Sequence, residues 1–89
     1  MIRYVRKPGC ETIVLDDETM ILNPSAMTVT RINDTGLFCW SQLSEPHTFE
    51  RLSASVRERF GISEADARQD LSAFLNRLLE CGLIETGDE

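Results

Sequence analysis

Eighty-nine residues, 42% of them hydrophobic and 27% charged, are enough for one small domain and exclude both a disordered chain and a second core. The net charge of −6 is uneven: residues 1–9 carry +3 through Arg3, Arg6 and Lys7, which leaves −9 on residues 10–89. So acidic a body repels phosphate backbones, and no run approaches the ~20 apolar residues that span a bilayer. The expected partners are therefore proteins or peptides rather than nucleic acid or membrane, and the expected compartment is the cytoplasm.

Residues 1–9 read as a basic N-terminal arm. The β-branched run Glu11 to Asp16 predicts a first strand, which the acidic turn Asp16-Asp17-Glu18 ends, and Thr19 to Asn23 predicts its hairpin partner. Asn23-Pro24-Ser25 is a turn signal, because proline fixes φ and Asn and Ser bond the local backbone. Ala26 to Ile32 then predicts a third strand, with Met27, Val29 and Arg31 on one face and Thr28, Thr30 and Ile32 on the other.

After Asn33 the spacing is helical. Asn33 or Asp34 can cap a first helix carrying Leu37, Phe38, Trp40 and Leu43, and it stops near Ser44-Glu45-Pro46. Thr48 caps a second, whose Phe49, Leu52, Val56 and Phe60 face one way until Gly61. Ser63-Glu64-Ala65-Asp66 has the form of a capping box and opens a third helix from Glu64 to Cys81, with Leu71, Leu75 and Leu78 as its buried stripe and Gly82 as its stop. Leu83 and Ile84 fold back on its last turn, and Glu85 to Glu89 form a frayed tail. The order predicts one α+β domain over residues 1–89, winged helix-turn-helix-like, with a three-stranded antiparallel sheet followed by three helices.

Little here can do covalent chemistry. Cys10, Cys39 and Cys81 are odd in number and far apart, and His47 is the single histidine, so no disulfide framework, metal site or nucleophile–base pair is expected. There is no glycine-rich phosphate loop either; no cofactor and no enzymatic activity are expected. His47 reads as a turn residue, and Asp16-Asp17-Glu18 as a solvated turn rather than a calcium site. Trp40, at helical spacing with Phe38 and Leu43, belongs to the core.

Several runs, in this order, resemble the PqqD family: Leu22-Asn23-Pro24, then Asn33-Asp34-Thr35-Gly36-Leu37-Phe38-Cys39-Trp40-Ser41-Gln42-Leu43, then Thr48 to Leu52 and Phe60-Gly61. Phe74 to Leu78 with Gly82-Leu83-Ile84 completes the likeness, which covers roughly residues 10–85. Cys39 stands where the family usually has an aliphatic residue, a tolerable exchange for a small apolar thiol. Members are RiPP recognition elements, modules that bind the leader segment of a ribosomally made precursor peptide, alone or fused to a modifying enzyme. The resemblance implies a standalone peptide chaperone whose leader adds as a strand to the third strand and rests against the third helix. It also implies a partner, either a radical SAM enzyme or a leader peptidase as in lasso-peptide systems.

The peptide-binding residues expected on this basis are Met27, Thr28, Val29, Thr30 and Arg31 of the third strand, whose edge would be a template for β-augmentation. On the third helix, Ala67, Asp70, Phe74 and Arg77 follow three- and four-residue steps beside the core stripe and form the groove wall. Val29 or Phe74 would supply an apolar floor and Asp70 and Arg77 a charged rim. The alternative is a winged-helix DNA-binding transcription regulator with its third helix in the major groove. Glu64, Asp66, Asp70 and Glu80 against Arg68 and Arg77 make that helix acidic, which opposes it.

Overall fold

The computed structural model describes residues 1–88. Its elements are β1 (Ile2–Arg6), β2 (Glu11–Leu15), β3 (Glu18–Asn23), β4 (Thr28–Ile32), α1 (Asp34–Gln42), β5 (His47–Thr48), α2 (Phe49–Phe60), α3 (Glu64–Glu80) and β6 (Ile84–Asp88). The architecture is α+β, with three helices and two three-stranded antiparallel sheets, ordered β2-β3-β4 and β5-β1-β6.

The first sheet is the one expected from the alternating runs. Asp16 and Asp17 both have positive φ (47° and 68°), the backbone of a two-residue hairpin, and Leu15 faces Glu18 across it. The second hairpin closes with Asn23 opposite Thr28, and the Met27 N–H donates to the Pro24 carbonyl at 3.3 Å. β4 therefore begins at Thr28, two residues after the predicted start, because residues 24–27 form the turn.

All three helices start where the polar caps stand. The side chains of Asn33, Thr48 and Ser63 accept bonds from the N–H groups of Gly36, Arg51 and Asp66, each satisfying a donor that the first turn leaves free. α3 ends in a paired motif: Gly82 (φ 70°) donates to Leu79 and Leu83 to Leu78, which turns the chain and buries Leu83. The core joins Ile21 and Ile32 of the sheet to Cys39, Trp40, Leu52, Val56, Leu71, Leu75 and Leu78 of the helices. Trp40 is 1% exposed, its indole N–H donates to Thr12 Oγ1 at 2.9 Å, and the Arg6 guanidinium lies 5.4 Å from its ring.

The chain ends differ from expectation. The basic arm is β1, and the tail expected to fray is β6, paired with it from Arg6↔Ile84 to Ile2↔Asp88; Glu89 lies outside the described residues. His47 is not a turn residue but opens β5, opposite Tyr4. The physical reason is that neither arm nor tail carries a decisive apolar alternation; their pairing joins opposite ends of the chain and is favoured by opposite charge. The terminal ammonium meets Asp88 at 2.6 Å, and the +3 arm lies along a strand holding Glu85 and Asp88.

Among the described residues no helix is long and apolar enough to cross a membrane, and no three His, Cys, Asp or Glu converge to hold a metal ion. Burial pushes the Cys39 thiol up to about 11, whereas Cys10 and Cys81 are only half-buried. The thiolate is the reactive form. Iodoacetamide at pH 8 is therefore expected to alkylate Cys10 and Cys81 in the native protein and Cys39 only after denaturation; native labelling of Cys39, read by peptide mass, would contradict its burial.

Candidate functional site

Among the described residues β4 pairs with β3 alone, so its other edge is open. Which backbone groups face that edge follows from the hairpin register. In a two-residue turn the flanking pair, here Leu15 and Glu18, is hydrogen-bonded, and in antiparallel sheets bonded and unbonded pairs alternate. Glu18, Met20 and Leu22 thus direct their backbone groups to β2, and Thr19, Ile21 and Asn23 direct theirs to Ile32, Thr30 and Thr28 of β4. The N–H and C=O groups of Val29 and Arg31 are left facing outward.

Alongside this edge lies a cavity of about 640 Å³ between β4, the start of α1 and α3. Ile32, Gly36, Leu71 and Phe74 give it an apolar lining, while Asp17, Glu18, Arg31, Asp70 and Arg77 bring charge to it. The Asn23 amide donates to the Gly82 carbonyl at 3.4 Å beside the start of β4, and Asp70 and Phe74 share the cavity with Ile32 at its end. α3 therefore runs antiparallel to β4, with Arg77 toward Thr28 and Asp70 toward Ile32.

Gly36 stands in the first turn of a helix, where glycine weakens helix formation, and the reason is steric. A Cβ there would sit 3.0 Å from Phe74 Cε1 and 3.1 Å from Ile32 Cβ, so the missing side chain lets the Phe74 ring lie against α1. Gly36→Ala must displace that ring or the end of β4. We expect the strain to outweigh the gain in helix propensity and leave a net loss of ~1 kcal/mol, measured by urea denaturation; a stabilised variant would show that the contact yields freely.

The structure distributes the nine sequence-expected residues unevenly. Arg31, Asp70, Phe74 and Arg77 line the cavity together. Thr28 and Val29 lie exposed on β4, outside that lining. Met27 stands in the turn before it, 89% exposed with φ 54°. The Thr30 side chain is 5% exposed, and its backbone register is toward β3 rather than the open edge. Ala67 is not part of the groove wall: at 0% exposure it belongs to the core, on a stretch of α3 that packs against α2, where the neighbouring Arg68 donates to Glu50.

Residues that periodicity did not bring to the groove include Asp17, Glu18, Thr19, Asn33, Thr35, Gly36 and Ala73, which line the same cavity. Asp17 and Glu18 arrive through the hairpin turn, which no local pattern places beside α3. Gly36 did leave a signal, as a glycine inside a capped helix. Met27 holds a left-handed backbone that costs an L-residue roughly 1–2 kcal/mol. Met27→Gly is expected to raise stability by ~1 kcal/mol in thermal unfolding, with no change or a loss meaning that the Met27 side chain has a packing role.

A family model described as coenzyme PQQ synthesis protein D (PqqD) matches residues 11–84. No curated protein matches the sequence. Among solved structures, the chain is similar to TbiB1, solved in complex with the TbiA(beta) leader peptide: 22% identity, TM-score 0.77, covering 91% of this chain and 94% of that one. It is also similar to a lasso peptide synthetase B1 complexed with the leader peptide, at 18% identity and TM-score 0.76, covering 92% and 96%.

Proposed function

This chain belongs to the PqqD family, and we propose accordingly that it is a recognition element for the leader segment of a ribosomally made precursor peptide. The leader adds as a further strand on β4, lies in the groove against α3, and is presented with its core peptide to a modifying enzyme or a leader peptidase. The observation that carries this reading is the coincidence of outward backbone groups at Val29 and Arg31 with an apolar cavity ending on Phe74 and Gly36. The backbone gives affinity without regard to sequence, and the cavity chooses side chains at alternate positions.

Two proteins of the same fold, each solved with a leader peptide, support it. In this role the protein supplies no chemical group. It raises the effective concentration of the precursor at the partner's active site, so turnover improves through proximity alone. The test is fluorescence anisotropy of labelled leader peptides, taken from short reading frames beside the gene, titrated with the purified protein. Saturable, sequence-dependent binding with Kd of about 1 µM or below is expected; no binding by any candidate overturns the reading.

A further inference from the structure

We propose that the groove reads the order of charges along the peptide: a cationic side chain at the Asp70 end, an apolar one against Phe74, and an acidic one at the Arg77 end. This rests on the leader-binding reading above and names the class of peptide that the site takes.

Not every charge in the groove is free to meet a ligand. Glu18 and Arg31 pair with each other at 3.7 Å, so they largely cancel. Asp17, Asp70 and Arg77 line the same cavity and make no ion pair among the described residues. The two acids and the base are not mixed along the groove. Asp17 sits in the turn before Glu18, and Thr19 pairs with Ile32, which places it at the far end of β4. Asp70 is at that same end of α3, and Arg77 is two helical turns away, about 10 Å along the axis. The free charge is thus negative at the Asp70 end of the groove and positive at its Arg77 end, about two helical turns along α3.

A strand laid between β4 and α3 turns alternate side chains toward α3. Positions i and i+4 on one face are about 14 Å apart, within reach of Asp70 and Arg77 through long side chains, and i+2 falls on Phe74 between them. Every pair in both sheets is antiparallel, the more stable arrangement, so the added strand runs antiparallel to β4 with its N-terminus at the Asp70 end. The order from N- to C-terminus is then cation, apolar, acid at i, i+2 and i+4. Net charge alone does not produce this selection: a protein of −6 favours any basic peptide, whereas an order preference needs charges fixed along the groove.

The experiment uses two labelled peptides of identical composition in a threonine-serine background. One has lysine two positions before a central leucine and glutamate two after it, and the other exchanges the lysine and glutamate. We expect the first to bind about tenfold tighter at low salt, with the preference shrinking in 1 M NaCl. The double variant Asp70→Arg/Arg77→Asp, checked for native circular dichroism, is expected to reverse the preference; should it fail to fold, Asp70→Asn alone is expected to reduce it. Equal saturable affinity for both orders overturns the charge order and leaves leader binding standing. The charge order is overturned in the same way if neither designed peptide binds while a natural leader does. If no peptide binds, natural leaders included, the reading beneath it falls as well.

Discussion

Val29→Pro is expected to abolish leader binding, lowering affinity at least about 100-fold, while the protein stays folded. Its N–H faces the open edge of β4, so proline removes no bond to β3 and meets the tolerance of edge strands for this residue. The incoming strand would lose a main-chain bond and meet the pyrrolidine ring in its place. Thr30→Pro is the control with the opposite signature. Thr30 bonds Ile21 across the ladder and is buried, so proline there should cost about 3 kcal/mol of folding stability. Circular dichroism and peptide anisotropy on the two variants separate these effects, and wild-type affinity in folded Val29→Pro would rule out pairing at this edge.

Trp40→Ala is expected to lose about 3–5 kcal/mol, a large part of the 5–15 kcal/mol that holds a typical small domain together. Trp40 is 1% exposed between the sheet and the helices, and its N–H bond to Thr12 ties α1 to β2. Truncation removes the largest fully buried side chain and leaves a void in the core cluster that Trp40 shares with Ile21 and Leu43, which the surrounding elements can only partly fill. Trp40→Phe keeps most of the apolar volume, and because Thr12 is exposed its hydroxyl can bond water instead. The loss there should be smaller, about 1–2 kcal/mol. Urea denaturation followed at 222 nm measures both; a loss below about 1 kcal/mol in Trp40→Ala would place the centre of the core elsewhere.

Much of the fold was legible because the determinants are local. The caps Asn33, Thr48 and Ser63, the stop at Gly82 and the apolar steps of α2 and α3 each act within a turn of the helix they delimit, and the two hairpins are marked by Asp16-Asp17 and Asn23-Pro24. The second sheet was not legible. β1 and β6 are short, charged and joined only through tertiary pairing, so nothing near Tyr4 in the chain announces Thr86 as its partner.

The site divides in the same way. Asp70, Phe74 and Arg77 line the cavity together because helix geometry places them on one stripe, whereas Ala67, one turn earlier on that stripe, is fully buried in the core. Asp17 and Gly36 reach the groove by folding, through a hairpin turn and a close approach to Phe74 that depend on three elements at once.

If a peptide strand completes the free edge of β4, amide hydrogen exchange of the protein with and without a saturating leader peptide will register it residue by residue. The Val29 and Arg31 amides are expected to exchange quickly in the free protein and to become strongly protected in the complex, while Thr30, already bonded to β3, is protected in both. Fast exchange at Val29 and Arg31 in a fully bound complex would mean that the peptide sits elsewhere and that β4 is not its docking edge.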